Sequence, residues 1–319
     1  MEALAFIDLL GFSQMVSLNS DSAKQVLGDF YNITYRIIKN EESIVGNLFS
    51  DSLLAHSQNS SALVNAITKV YRECLKKNRT YHFDLAKFFL LPRGGVSFGI
   101  VDIQNRIEAP NLSKNFIVSP ALVHSAKMES QIKGSRLLIA DTEYNVEPIF
   151  NWNINVKSIL YENSAFTFWA KYKYYDSLWF LDLSKEHDLQ KEEVIDLIDI
   201  AIKLVQANSL NEKFLEQHVQ TLRIGLLSFA KFLEPNANPL LTKLITDFQD
   251  NKFWLIWLTI FEMLMSSPDS WAFPSNPEIT GFYKNVSLKP GWANVLKEIN
   301  KPQNKYLLSL FREFTSNMS

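Results

Sequence analysis

Two aspartates occupy positions from which a side chain can do chemistry. Asp8 ends the apolar run Leu4-Ala5-Phe6-Ile7, and the glycine-containing turn Leu9-Leu10-Gly11-Phe12 follows it directly. Asp51 lies in Phe49-Ser50-Asp51-Ser52, where two segments of strand character meet. A carboxylate at a strand end and a second at a hairpin tip offer hard oxygen ligands, which suit a divalent cation. The backbone amides of a turn that leads into a helix suit phosphate oxygens. A cation beside a phosphate cradle is the minimum equipment for phosphoryl transfer. Acids at such places also serve as helix caps, turn formers and salt-bridge partners, so the pair needs support from the elements around it.

Those elements follow from hydrophobic period and punctuation. Residues 4–8 read as a buried strand. Ser22 is positioned to cap a helix running to about residue 39, with Val26, Leu27, Phe30, Ile33 and Ile37 on one face. Residues 43–49 and 52–56 read as a hairpin, and residues 61–77 as a helix whose apolar face includes Leu63, Ile67, Val70 and Cys74. A strand is expected over residues 93–101 and a return over 102–107. Pro120 can open a third helix over residues 121–132, because its fixed φ suits the first turn. Residues 136–140 form a further strand. The order β-α-β-β-α-β-(β)-α-β predicts an α+β fold, an antiparallel-rich sheet with helices on one face. The aromatic stretch 151–183, with Phe166, Phe168, Trp169, Tyr172, Tyr174, Trp179 and Phe180, is expected to add strands or a covering flap.

From residue 184 the pattern turns helical. Residues 192–207 carry Val194, Leu197, Ile198, Ala201, Leu204 and Val205 on one stripe. Residues 214–233, 240–265 and 293–314 follow, the last broken by Pro302. Two units are therefore expected, residues 1–183 and 184–319. The glycines divide likewise: seven of the ten lie within the first 134 residues.

Composition narrows the function classes. The 319 residues are 47% hydrophobic and 21% charged, with a formal charge of −2, which excludes a disordered chain and argues against wholesale binding to nucleic acid or membrane. The single cysteine, Cys74, excludes a disulfide scaffold and fits a reducing cytoplasm. No basic residue precedes Lys24, so no secretory signal is expected, and the apolar run 253–261 is too short to span a bilayer. His56, His82, His187 and His218 lack metal-ligand spacing and read as structural.

Four motifs occur in order: Ala5-Phe6-Ile7-Asp8-Leu9-Leu10-Gly11-Phe12, Phe49-Ser50-Asp51-Ser52, Arg93-Gly94-Gly95-Val96-Ser97-Phe98-Gly99, and Ser119-Pro120-Ala121-Leu122-Val123-His124-Ser125-Ala126-Lys127-Met128-Glu129. Together they resemble the class III nucleotide cyclase domain, and specifically the pyrimidine nucleotide cyclases of bacterial Pycsar antiphage defence. The likeness covers residues 1–145 and extends toward 183. It implies a ferredoxin-like cyclase domain followed by a helical accessory or dimerisation region. It also implies two divalent ions, Mn²⁺ or Mg²⁺, bound by Asp8, Asp51 and the Leu9 carbonyl, with Leu10, Gly11 and Phe12 at the phosphates. Active sites would lie between the subunits of a homodimer.

Departures from the purine-specific pattern sharpen the substrate expectation. The lysine that purine cyclases carry six residues before the second aspartate is replaced by Val45. The place of their base-reading acid falls near Phe116, and their supporting Asn and Arg fall at Val123 and Lys127. The resemblance therefore implies UTP as substrate and 3′,5′-cyclic UMP with diphosphate as products, a second messenger in antiphage defence. CTP and cyclic CMP are the alternative, and a catalytically degenerate nucleotide-binding domain is the rival from another class. Arg93 is a candidate for contacting base or phosphate through its planar fork. Phe49 is a candidate neighbour of the base. His124 and Lys127 are candidates on an exposed face of the third helix, with Lys127 in a catalytic role.

Overall fold

The computed structural model describes residues 2–105, 115–142, 160–162, 172–182, 184–186, 188–233, 239–266 and 276–316. Strand β1 (Glu2–Leu9) lies near the middle of a seven-stranded sheet of order β2-β3-β1-β4-β7-β9-β8. Its neighbours are β3 (Ser52–Ser57), which follows β2 (Val45–Phe49), and β4 (Pro92–Gly99). Beyond β4 stand β7 (Leu137–Thr142), β9 (Tyr172–Ser177) and β8 (Leu160–Glu162). All pairings are antiparallel except β4 with β7. That parallel pair needs a crossover. It is made by a small ribbon, β5 (Asp102–Asn105) with β6 (Asn115–Val118), and by helix α4 (Pro120–Gln131).

Alternation along β1 sorts the two faces of the sheet. Ala3, Ala5, Ile7 and Leu9 join the main core with Leu53, Ala55, Val96, Phe98, Leu137 and Ile139. Helices α2 (Ser20–Ile38) and α3 (Ser60–Lys77) cover this face through Val26, Phe30, Ile67, Val70, Tyr71 and Cys74. Leu4, Phe6 and Asp8 point the other way, in line with Leu54 and Ser52 on β3 and with Gly95, Ser97 and Gly99 on β4. Helix α4 lies across this second face. Gly95 permits the approach, since a Cβ there would stand 2.8 Å from Met128 Cβ. The fold class is the expected α+β sheet with a helical C-terminal region, but the helices do not all lie on one face as expected: α2 and α3 share one face and α4 crosses the other, because the parallel β4–β7 crossover carries α4 over the second face.

Two element boundaries differ from expectation for local reasons. The chain forms a short helix α1 (Phe12–Leu18) directly after the turn, and Asn19 rather than Ser22 caps α2. The Asn19 side chain accepts from the amides of Asp21 and Ser22, both at 3.0 Å, and so satisfies two N–H groups that a helix start leaves unpaired. Helix α4 starts at Pro120 as expected, and the structure adds a cap, with the Ser119 hydroxyl accepting from the Leu122 amide. Of the aromatic stretch, Tyr172 and Tyr174 lie on β9 and Trp179 and Phe180 follow it, while Phe166, Phe168 and Trp169 fall outside the described residues.

The C-terminal part comprises α5 (Lys191–Ala207), α6 (Glu212–Phe229), α7 (Pro239–Asp247), α8 (Trp254–Ser266), α9 (Pro277–Ser287), α10 (Trp292–Ile299) and α11 (Lys305–Ser316). Its core centres on Phe261 of α8, whose ring meets Phe282, Trp292 and Phe314 with centroids 5.6 to 5.8 Å apart. Among the described residues, no helix is long and apolar enough to cross a membrane.

Helix α6 runs along loops of the sheet region. Phe214 covers Gly11, the Gly134 amide donates to Gln217 Oε1 at 2.5 Å, and the Ser135 amide donates to Thr221 Oγ1 at 2.8 Å. Buried charges are paired on each side of this seam, and one hydroxyl reaches across it. Arg72 on α3 donates to the Leu181 carbonyl at 2.6 Å and pairs with Asp182 at 3.2 Å. Arg223 on α6 pairs with Glu262 on α8 at 3.0 Å, and the Tyr161 hydroxyl of β8 donates to the same carboxylate. A buried charge is tolerated only when paired in this way.

Candidate functional site

The end of β1 and the tip of the β2–β3 hairpin come together through the backbone. The Leu9 amide donates to the Asp51 carbonyl at 3.1 Å. The hairpin turns through Ser50 and Asp51, and Ser50 adopts φ +50°, the one positive φ among described non-glycine residues. The Tyr31 hydroxyl of α2 donates to the Ser50 carbonyl at 2.8 Å and fixes that conformation from outside the hairpin. Ser52, directly opposite Asp8 in the register, donates its hydroxyl to Asp8 Oδ1 at 2.9 Å.

The electrostatics of Asp8 are those of a crowded anion. Burial raises its carboxyl above the ordinary range, and the nearby charge of Asp51 raises it further. The Ser52 hydroxyl and the Arg93 charge oppose the rise without cancelling it. A carboxylate held up by burial and by a neighbouring acid gains from a positive ion beside it. Among the described residues no three or more His, Cys, Asp and Glu side chains are arranged so that together they could hold a metal ion. An ion here would therefore take its remaining ligands from backbone, water or substrate phosphates, as Mg²⁺ commonly does.

The turn after Asp8 is glycine-dependent. Gly11 sits at φ +74°, and a Cβ added there would lie 3.1 Å from the Phe214 ring. The Leu10 amide is already engaged, donating to the Leu91 carbonyl at 2.9 Å, and the Leu10 side chain is buried. Leu10 thus shapes the turn through its backbone, which leaves Gly11 and Phe12 as the residues of the predicted trio whose amides can meet an acceptor.

Arg93, the second residue of β4, lies opposite Asp8. Its Nε lies 2.6 Å from Glu129 Oε1 on α4, and its side chain keeps 23% of its surface exposed. Glu129 itself is 7% exposed, and burial raises its carboxyl while the Arg93 charge pulls it down. Phe49 stands beside Phe6 with ring centroids 6.3 Å apart and remains 47% exposed, at the rim of the same corner. Lys127 is exposed on α4.

His124 corrects an expectation. It is 1% exposed, not on a free face of α4. Its Nδ1 lies 2.8 Å from Ser97 Oγ, its Nε2 lies 3.0 Å from the Tyr174 hydroxyl, and Tyr172 packs edge-on at 4.5 Å. The reason is tertiary: β9, far away in sequence, places two tyrosines over that turn of the helix. His124 therefore has no open path to a nucleotide within this chain.

Sequence reasoning missed Ser52 and gave Glu129 no role. A serine after Asp51 carried no signal of its own until the register set it opposite Asp8. Glu129 offered a weak one, as an acid on the same helical stripe as Ala121, Ser125 and Met128, which face the sheet.

No protein-family model matches this chain, and no curated protein matches it. Several solved structures are similar in part. The guanylyl cyclase Cya2 has 16% identity and a TM-score of 0.42, over 56% of this chain and 91% of that one. A bacterial light-regulated adenylyl cyclase has 14% identity and a TM-score of 0.43, over 67% of this chain and 57% of its own length. The guanylyl cyclase domain of the RhoGC fusion protein from the aquatic fungus Blastocladiella emersonii has 13% identity and a TM-score of 0.38, over 56% and 95% respectively.

Proposed function

We propose that this chain is a metal-dependent pyrimidine nucleotide cyclase that converts UTP to 3′,5′-cyclic UMP and diphosphate, a messenger for antiphage defence in the cytoplasm. CTP with cyclic CMP is the close alternative. The reading rests on one observation above others: Asp8 and Asp51, carried by motifs that resemble those of the pyrimidine cyclases, converge from β1 and the β2–β3 tip onto one corner beside the Gly11 turn. Residues 1–183 would form the cyclase unit and residues 184–319 its helical accessory region, with two chains forming a homodimer.

In this reaction the ribose 3′ hydroxyl loses its proton to water, its oxygen bonds to the α-phosphorus, the bond from that phosphorus to the oxygen bridging to the β-phosphate breaks, and diphosphate leaves. Divalent ions, when bound, supply Lewis-acid polarisation of the hydroxyl and charge neutralisation at the phosphates. The residues of the chain hold and orient. Asp8 and Asp51 furnish the anionic ligands, joined by the Leu9 carbonyl. Ser52 fixes the Asp8 carboxylate, which removes a rotamer cost from ion binding. The Gly11 and Phe12 amides receive phosphate oxygens. Arg93 meets base or phosphate, Phe49 lies beside the base, and Lys127 supports the developing charge, acting within the chain or across the dimer. His124 stiffens the wall behind α4.

Incubation of the purified chain with each of four nucleoside triphosphates and Mn²⁺, followed by chromatography of the products, tests the proposal. Cyclic UMP is the expected product, and Asp51→Ala should lower its formation by at least about a hundredfold. Binding without any cyclic product would favour a degenerate, nucleotide-sensing domain instead.

A further inference from the structure

We propose that Glu129 is a positioning residue that clamps the Nε edge of Arg93 so that its two Nη groups face the nucleotide. The inference rests on the nucleotide-binding reading above. It starts from an asymmetry in how Arg93 is buried. Its Nε is sealed from solvent and lies 2.6 Å from the equally sealed Glu129 Oε1. The two atoms meet as charges without the alignment of a hydrogen bond. Beyond this contact no side-chain hydrogen bond of Arg93 occurs among the described residues, while part of its side chain is accessible. The accessible part of a guanidinium anchored by Nε is the Nη pair, a preformed two-donor fork.

Placement supports the same conclusion. Arg93 is the direct cross-strand neighbour of Asp8 on the face that α4 crosses. Without Glu129, the guanidinium would be drawn to the Asp8 and Asp51 carboxylates, the groups needed as ion ligands. Glu129 offers it a competing anion from the helix side. Asp8, Asp51 and Glu129 supply three carboxylates and Arg93 one cation, so the corner holds excess negative charge ready for metal–nucleotide, with the arginine kept out of the ligand positions. Glu129 is too enclosed to reach a substrate itself, which makes it a positioning residue, not a catalytic one.

Calorimetric binding of the non-cyclisable analogue α,β-methylene-UTP with Mn²⁺ reads this directly, beside steady-state assays with UTP. Glu129→Gln keeps the shape and removes the charge. It should weaken analogue binding roughly tenfold and raise KM more than it lowers kcat. Arg93→Ala should weaken binding similarly, and the double variant should be no worse than Arg93→Ala, since the clamp acts only through the arginine. Native-like analogue binding by Glu129→Gln, or full additivity in the double variant, would overturn the clamp. Thermal unfolding separates a folding defect, because Glu129→Gln and Arg93→Ala should share the binding loss whatever their melting temperatures. If the native chain binds the analogue with this variant pattern yet yields no cyclic product, the clamp stands and the cyclase reading fails. If the native chain binds no analogue, both fail.

Discussion

His218 sets up a measurable conflict between burial and solvation. It lies on α6, 1% exposed, with Phe89 edge-on at 4.7 Å and Phe214 nearby, and neither ring nitrogen has a hydrogen-bond partner among the described residues. Desolvation alone pulls its pKa from 6.5 down to about 3. The folded chain therefore keeps the imidazole neutral where the unfolded chain protonates it. Stability is fully present above about pH 6.5 and is lost as the pH falls from there toward about 3. With those two values, going from about pH 7.5 to about pH 5.5 removes about 1.4 kcal/mol, or ~2 °C of melting temperature for a chain of this size. His218→Leu fills a similar volume without ring nitrogens. It should erase that increment and, by removing unpaired buried polar atoms, match or exceed the native stability by about 1 kcal/mol near pH 7.5. Thermal unfolding of both proteins at the two pH values isolates the effect, because all other titrations cancel in the difference. A native-minus-variant difference that does not change with pH would refute the reasoning.

Four further outcomes are expected. Gly11→Ala should cost about 1–2 kcal/mol from its left-handed backbone alone, with more from the Phe214 ring. Gly28→Ala, on α2 with open space around it, should stabilise by roughly 0.5–1 kcal/mol, and urea unfolding distinguishes the two. Glu262→Leu should destabilise by about 3–5 kcal/mol by stranding the buried Arg223, and adding Arg223→Met should restore most of that loss in the same unfolding assay. Burial pushes the Asp182 carboxyl up, but Arg72 and the Ser184 bonds outweigh it and hold it below the usual carboxylate range. Its contribution is present above the ordinary aspartate pKa and is lost as pH falls through the depressed value, so Asp182→Asn should flatten the acid side of the stability–pH curve.

The strands and helices that build the candidate site were legible because their signals are local. Pro120 announces the start of α4 by its fixed φ, and Asp51 sits at a hairpin tip that two apolar runs bracket. The same local grammar failed at Asn19. A second helix start only two residues past a short helix leaves no room for an apolar period to show, and only the side-chain bonds to Asp21 and Ser22 reveal the cap.

What the sequence determined by itself was the order of elements, the helical character beyond residue 184, and the two acids at chemically useful positions. What tertiary structure decided was which groups those acids meet. Register placed Ser52 and Arg93 opposite Asp8. The packing of α4 brought Glu129 to Arg93, and β9 buried His124, against its expected exposure. Helix α6, some two hundred residues after the Gly11 turn, set Phe214 against it. The physical reason is one of range. Period, caps and turns act over a few residues and are written in the sequence as such, whereas burial and charge pairing depend on distances across the sheet that no single stretch of chain encodes.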